Sequence, residues 1–230
     1  MKNLLRLLPA FLLMLLLMAC GGGSAETDAE TAVETATEDE AMEETAVTTD
    51  TAAVETLKAE VVANYADIVY ASYQDSYETA VALQTALQAF VANPTDATHQ
   101  AAKDAWLAAR EPYGQTEVYR FYGGPIDDED GPEGLINAWP LDESYVDYVD
   151  GAPEAGIINN AADYPGINAE LLESLNEAGA EENISTGYHA IEFLLWGQDL
   201  SADGSGDRSY TDYTDAANAD RRGQYLLTAA

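Results

Sequence analysis

The sequence predicts an all-α protein built as an up-and-down helical bundle. Three observations carry that prediction. Apolar residues recur at three–four spacing over long windows, the mark of an amphipathic helix. Helix-stopping and helix-starting residues, such as Asn93-Pro94-Thr95, punctuate those windows. No segment shows the alternation of apolar and polar residues that a half-buried strand requires.

The longest helical window runs from Val54 to Asn93, which contains neither Gly nor Pro. Leu57, Val61, Tyr65, Ile68, Val69, Ser72, Ala80, Leu83, Leu87 and Phe90 form its stripe, with a bend or break expected near Ser72–Ser76. Thr95 or Asp96 caps a second helix through Trp106 and Leu107 to at least Arg110. Pro112 is expected to kink or end it, while Tyr113 to Phe121 still reads as helical. Residues 122–166 are dense in Gly, Pro and acids and predict a long excursion, with short helices near Leu135–Asn137 and Ser144–Val149. Its Tyr122, Trp139, Tyr145 and Tyr148 imply that it packs on the bundle. A short helix over Asn168–Asn176 follows, then a strongly apolar one from Gly187 to Gly197, and a last one through Arg221 to Leu227. The chain stops at Ala230 on a helix with an apolar face, so the expectation is a domain that continues beyond this sequence.

The ends of the chain are of a different kind. Lys2 and Arg6 precede an apolar run too short for an ordinary membrane span, and Leu17-Met18-Ala19-Cys20-Gly21 resembles a bacterial lipobox. Residues 1–19 are therefore expected to be a lipoprotein signal peptide and Cys20 the lipidated residue. Cys20 is the sole cysteine, which excludes an internal disulfide and a cysteine-based metal site. Residues 20–53 are nearly all Gly, Ser, Ala, Thr and acids and predict a disordered tether, leaving 54–230 as the folded domain. The formal net charge of −33 excludes nucleic acid as a partner and favours cations. Gly21 is not an aspartate-type retention signal, which points to the outer membrane or cell surface of a bacterial envelope.

Candidate chemistry gathers in two stretches. In Gly187-Tyr188-His189-Ala190-Ile191-Glu192, His189 and Glu192 lie one helical turn apart and face one point. An imidazole and a carboxylate suit iron, zinc or manganese, and Glu-x-x-His pairs supply ligands in metal-binding bundles. Spacing alone leaves open a pair that satisfies itself by hydrogen bonding in a core. In Arg110-Glu111-Pro112-Tyr113-Gly114-Gln115-Thr116-Glu117-Val118-Tyr119-Arg120, Glu117 is a candidate third ligand, against the alternative of an ion pair with Arg120. His99, in a first helical turn, reads as solvent-facing. Ala190 and Phe193 stand where the common zinc-protease motifs need Glu and His. No nucleophile elbow, phosphate loop or dinucleotide fingerprint occurs.

Taken together, these blocks resemble the imelysin-like family. Gly187-Tyr188-His189-Ala190-Ile191-Glu192 is similar to its Gly-x-His-x-x-Glu segment, and Arg110 to Phe121 to its Arg-x-Pro-Trp and Ser-Glu segment. Tyr113 and Thr116 depart from the usual Trp and Ser. Gly123-Gly124-Pro125-Ile126-Asp127, Asn137 to Glu143, Arg221-Arg222 and Tyr225-Leu226 are closer to the branch of iron-regulated protein A. The resemblance covers roughly residues 55–230. It implies two bundle-like helical halves, of which this sequence carries the first. It implies an exported, often lipid-anchored protein tied to iron uptake or handling and, by way of that role, to iron-transport partners. It also implies a divalent-metal site of His189, Glu192 and Glu117 flanked by Arg120 and Tyr113. Members have been classed as metallopeptidases, in which case Glu192 is the catalytic residue. A surface scaffold with a structural His–Glu pair is the third reading.

Overall fold

In a computed structural model, which describes residues 50–230, a single long hairpin of two helices sets the frame. Helix α1 spans Thr51–Ala92, 42 residues without a break, and Asp50 caps it by accepting from the amides of Ala52 and Ala53. No break forms near Ser72–Ser76: the absence of Gly and Pro lets the helix continue through, and Ser72 returns its hydroxyl to the Ile68 carbonyl. Asn93-Pro94 ends α1. Thr95 opens α2, Asp96–Gln115, with a reciprocal capping box in which Thr98 plays the part usually taken by Glu.

Pro112 sits inside α2 without stopping it. Four residues later, however, the chain tightens into a 3₁₀ turn over Thr116–Tyr122, which ends at Gly123 in the left-handed region. Because α2 is less than half as long as α1, it covers only the C-terminal part of its partner. The 3₁₀ turn extends the cover slightly, through Tyr119 against Tyr65 and Ser72. The expected core stripe therefore divides. Leu83, Leu87 and Phe90 are buried, while Leu57, Val61, Tyr65 and Ile68 are exposed.

Short helices α3 (Glu133–Asn137), α4 (Glu143–Val146) and α5 (Gly156–Asn159) punctuate the excursion and α6 (Ala169–Leu175) follows it. The excursion packs on the bundle through Tyr145 and Tyr148, while Tyr122 and Trp139, expected to pack as well, are exposed. Helices α7 (Gly187–Trp196) and α8 (Ala219–Ala229) complete the body, with a 3₁₀ turn over Tyr210–Tyr213 between them. The core lies where α1, α2, α7 and α8 meet. Ala102 and Ala109 on α2 and Ala190 on α7 are fully buried, and their small side chains let the helices approach closely. Among the described residues there is no strand, one isolated β-bridge between Val149 and Ala152, and no helix long and apolar enough to cross a membrane. The signal peptide, Cys20 and nearly all of the tether lie outside the described residues.

One buried polar cluster locks the excursion to α8. Asp147, wholly inaccessible, accepts from Arg208 Nη1 at 2.6 Å, from Arg222 Nε at 2.6 Å and Nη2 at 3.0 Å, and from Asn159 Nδ2 at 3.1 Å. The ring of Tyr148 lies 5.0 and 5.4 Å from the two guanidinium carbons, and its hydroxyl donates to Asp212. Burial pushes the Asp147 carboxyl up, but the Arg222 hydrogen bonds and the charges of both arginines outweigh it, so the net shift is downward.

Candidate functional site

Helix α7 carries His189 and Glu192, and its position is fixed at both ends. At its start Gly187 has φ of +76°, and a Cβ there would run into the carbonyls of Leu135 and Ile136. Thr186 does not cap the helix. Its hydroxyl donates instead to the Leu135 carbonyl at 2.8 Å, and Ser185 donates to Leu172 at 2.6 Å, so both hydroxyls are spent on tertiary contacts. Trp106 Nε1 donates to the Tyr188 carbonyl at 2.9 Å. At the far end the orphan carbonyls are all taken: Leu194 by the Tyr213 hydroxyl at 2.7 Å, Leu195 by His99 Nε2 at 2.8 Å and Trp196 by the Arg208 amide at 2.8 Å.

That contact corrects the expectation for His99. It is buried, stacked on Phe90 with ring centroids 4.7 Å apart, and serves as a C-terminal brace for α7. A carbonyl only accepts, so Nε2 carries the proton. Burial first, then the charge of Lys103, holds the His99 pKa below its usual value and keeps the ring neutral.

His189 and Glu192 are brought together as their spacing predicts. His189 Nδ1 and Glu192 Oε2 are 3.0 Å apart. The pair is not a core pair. Glu192 is half-exposed, and both residues line an open cavity of about 480 Å³. His189 Nε2 makes no hydrogen bond among the described residues and still reaches solvent. With Nδ1–H donating to the Glu192 carboxylate, a neutral ring keeps its Nε2 lone pair free to accept or to ligate. A carboxylate that orients an imidazole in this way is the usual partner of a metal-ligating histidine.

Glu117 is placed elsewhere. It pairs with Arg120 Nη2 at 2.8 Å, the ion pair that its spacing allows, and its side chain is half-exposed. Arg120 also meets Glu133, which accepts from the Tyr113 hydroxyl at 2.5 Å. Tyr113, Glu117, Arg120 and Glu133 thus form a second cluster. It reaches α7 through the Tyr113 and Tyr188 rings, whose centroids are 4.9 Å apart. Burial and then the hydrogen bond to Glu133 hold the Tyr113 hydroxyl protonated far above its usual range. Among the described residues no three or more His, Cys, Asp and Glu side chains gather as a metal site. The donor set of His189 and Glu192 fits a borderline divalent ion such as iron or zinc as two of its ligands, one short of the three that even an open catalytic zinc site uses.

The cavity walls were not singled out in the sequence. Trp106, Leu107, Trp139, Leu141, Phe193 and Trp196 supply its apolar side, and Glu143 and Asp199 join Glu192 as acids. Trp139 stands over His189, with ring centroids 4.8 Å apart. Trp106 and Trp196 meet edge to face at 5.3 Å. Burial pushes the Glu143 carboxyl above its usual range, opposed by a hydrogen bond with Gln198 and the charge of Arg208. On the helices, Trp106 and Trp196 sit at spacings indistinguishable from core positions. Only the rarity of tryptophan, three in the chain, marks them out.

Comparison with known proteins bears on the family of the chain. Iron-regulated protein A of Synechococcus elongatus is 30% identical over 129 residues, a match that covers 56% of this chain and 29% of that protein. The chain therefore spans less than a third of the length of that relative. The imelysin family, designated peptidase M75, matches residues 69–230, more than half of the sequence and including the stretches around Glu117 and His189. By that match, with its helical fold, the chain belongs to the imelysin family.

Proposed function

We propose that the protein binds a divalent metal, iron foremost and zinc as an alternative, as part of iron uptake or handling at a bacterial cell envelope. The observation that carries the reading is the His189–Glu192 pair at the cavity: Nδ1 is engaged by the carboxylate and Nε2 is open. The name of the Synechococcus relative, an iron-regulated protein, supports iron over other ions. His189 is the nitrogen ligand. Glu192 orients it or ligates directly, and Glu117 adds a third ligand where its pairing with Arg120 opens. Cys20 anchors the chain to lipid, and residues 20–53 hold the domain away from the membrane, within reach of iron-transport partners. Water or a partner group fills the remaining coordination positions.

The test is a titration of the full chain with iron(II), kept anaerobic, and with zinc, alongside the double variant His189→Ala, Glu192→Ala. Loss of a ligand and of the group that orients it lowers affinity at least tenfold. Equal binding by both proteins would falsify the assignment. Cys20→Ala should release the protein from the membrane fraction.

A second reading, a metallopeptidase, is favoured by the family's designation and by the half-exposed Glu192. Glu192 then takes up and returns a proton as general base. Chelator-sensitive cleavage of a peptide panel that disappears in Glu192→Gln supports it, and cleavage that survives the substitution rules it out.

A further inference from the structure

All three tryptophans of the chain line the one cavity that holds His189 and Glu192. A bare ion has no use for them. It is held by oxygen and nitrogen donors and by its own waters, and an ion with six waters, at about 30 Å³ each, occupies roughly 200 Å³. The cavity measures about 480 Å³, in the size range of small organic ligands. Its walls divide by chemistry. Trp106, Trp139, Trp196 and Phe193 offer ring faces and edges, and Glu143, Glu192 and Asp199 offer negative charge. Trp139 is the telling residue. It is 68% exposed, so burial in the core does not explain it, yet its ring stands over the imidazole at 4.8 Å.

Aromatic walls with acids beside them select a flat, unsaturated body that carries positive charge. The acids reject anionic chelates. We infer that the cavity takes its metal ion already held in a small, planar, aromatic chelate of net positive charge, with the tryptophans covering the chelate and His189 Nε2 facing the metal. This rests on the metal reading above and narrows its substrate from an ion to a cationic complex. The division of labour follows from position: Trp139 and Trp196 recognise the organic part, and His189 with Glu192 recognises the metal.

The probes are zinc ion alone, 1,10-phenanthroline alone and their one-to-one complex, each titrated calorimetrically into the full chain, with tryptophan emission followed in parallel. The expected result is at least tenfold tighter binding of the complex than of either component, with a change in emission. Trp139→Ala should cut affinity for the complex by roughly fivefold to tenfold, the scale of one lost aromatic contact, and Trp139→Phe should restore most of it. Zinc binding as tightly alone as in the complex would overturn this inference and leave the metal reading standing. Phenanthroline binding as tightly without zinc would overturn it as well, because the metal then contributes nothing. An unchanged affinity for the complex in Trp139→Ala would remove the aromatic wall from recognition and sink the proposal. No binding of any probe would overturn both this inference and the metal reading.

Discussion

Replacing Asp147 with Asn removes one negative charge from a position with no solvent access and leaves Arg208 and Arg222 facing each other across it. Arg208 keeps a single ion pair, at 3.4 Å with Asp212, beside the rings of Tyr148 and Phe193, and its Nε is already buried without a partner. An asparagine still accepts through one oxygen, but its amide nitrogen points a donor at a donor. Breaking a buried ion pair by removing one partner costs about 3–5 kcal/mol. In a domain of this size each kcal/mol lowers Tm by about 2–4 °C, so Asp147→Asn should melt roughly 6–20 °C lower in far-ultraviolet circular dichroism at neutral pH. The control is Glu55→Gln, which breaks the exposed pair with Lys58 and should cost at most about 0.5 kcal/mol. The acid limb gives a second readout. The folded carboxyl of Asp147 titrates below its unfolded value, so its contribution is complete above the ordinary aspartate range and is lost as pH falls through the lower folded value. The variant should lack that part of the acid-induced loss. A shift no larger than that of Glu55→Gln would show that the cluster does not hold the excursion to α8.

Three further outcomes follow from the placement of α7. Gly187→Ala should lower stability by about 1–3 kcal/mol, from the positive φ and the collision with the Ile136 carbonyl, and weaken metal binding in the same titration because His189 moves with the helix. His99 is held neutral, with its folded pKa below the unfolded one, so its contribution is present above about pH 6.5 and is lost as pH falls through the folded value. His99→Gln should flatten the fall in Tm between about pH 7.5 and 5.5 relative to the parent, and an unchanged slope would place that titration elsewhere. Trp106→Phe leaves the Tyr188 carbonyl without its indole donor and should cost about 1–3 kcal/mol in denaturant unfolding, with no change in m-value.

Much of the fold was legible because helices announce themselves locally. The Asn93-Pro94-Thr95 stop and restart, the short helix at Leu135–Asn137 and the span of α7 are each decided by a few neighbouring residues. What was not legible depends on who stands opposite. Leu57 and Leu87 occupy the same kind of position on α1, yet one is exposed and the other wholly buried, because α2 reaches only one of them. His99 looked like a first-turn surface residue until α7 supplied a carbonyl for it. Asp147, Arg208 and Arg222 are unremarkable charges in sequence and become a buried cluster only when residues 61 and 75 positions apart converge.

The candidate site divides along the same line, and that division explains why its two halves carry different weight. His189 and Glu192 are a local pattern: three residues apart on one helix, they meet wherever α7 is folded. Their meeting therefore says little by itself, since any helix with that spacing would show it. The non-local facts discriminate. The pair opens on a cavity when the surrounding helix is almost wholly buried, and all the tryptophans of the chain arrive at that cavity from α2, α7 and the excursion. A structural pair would be expected in the core among Ile191, Leu194 and Leu195, with both imidazole nitrogens spoken for. One open nitrogen and an exposed aromatic ring alongside are features that a purely structural pair does not require. The substitutions at Trp139 and His189 address those non-local features directly, which is why they separate a binding site from a helix that merely carries the motif.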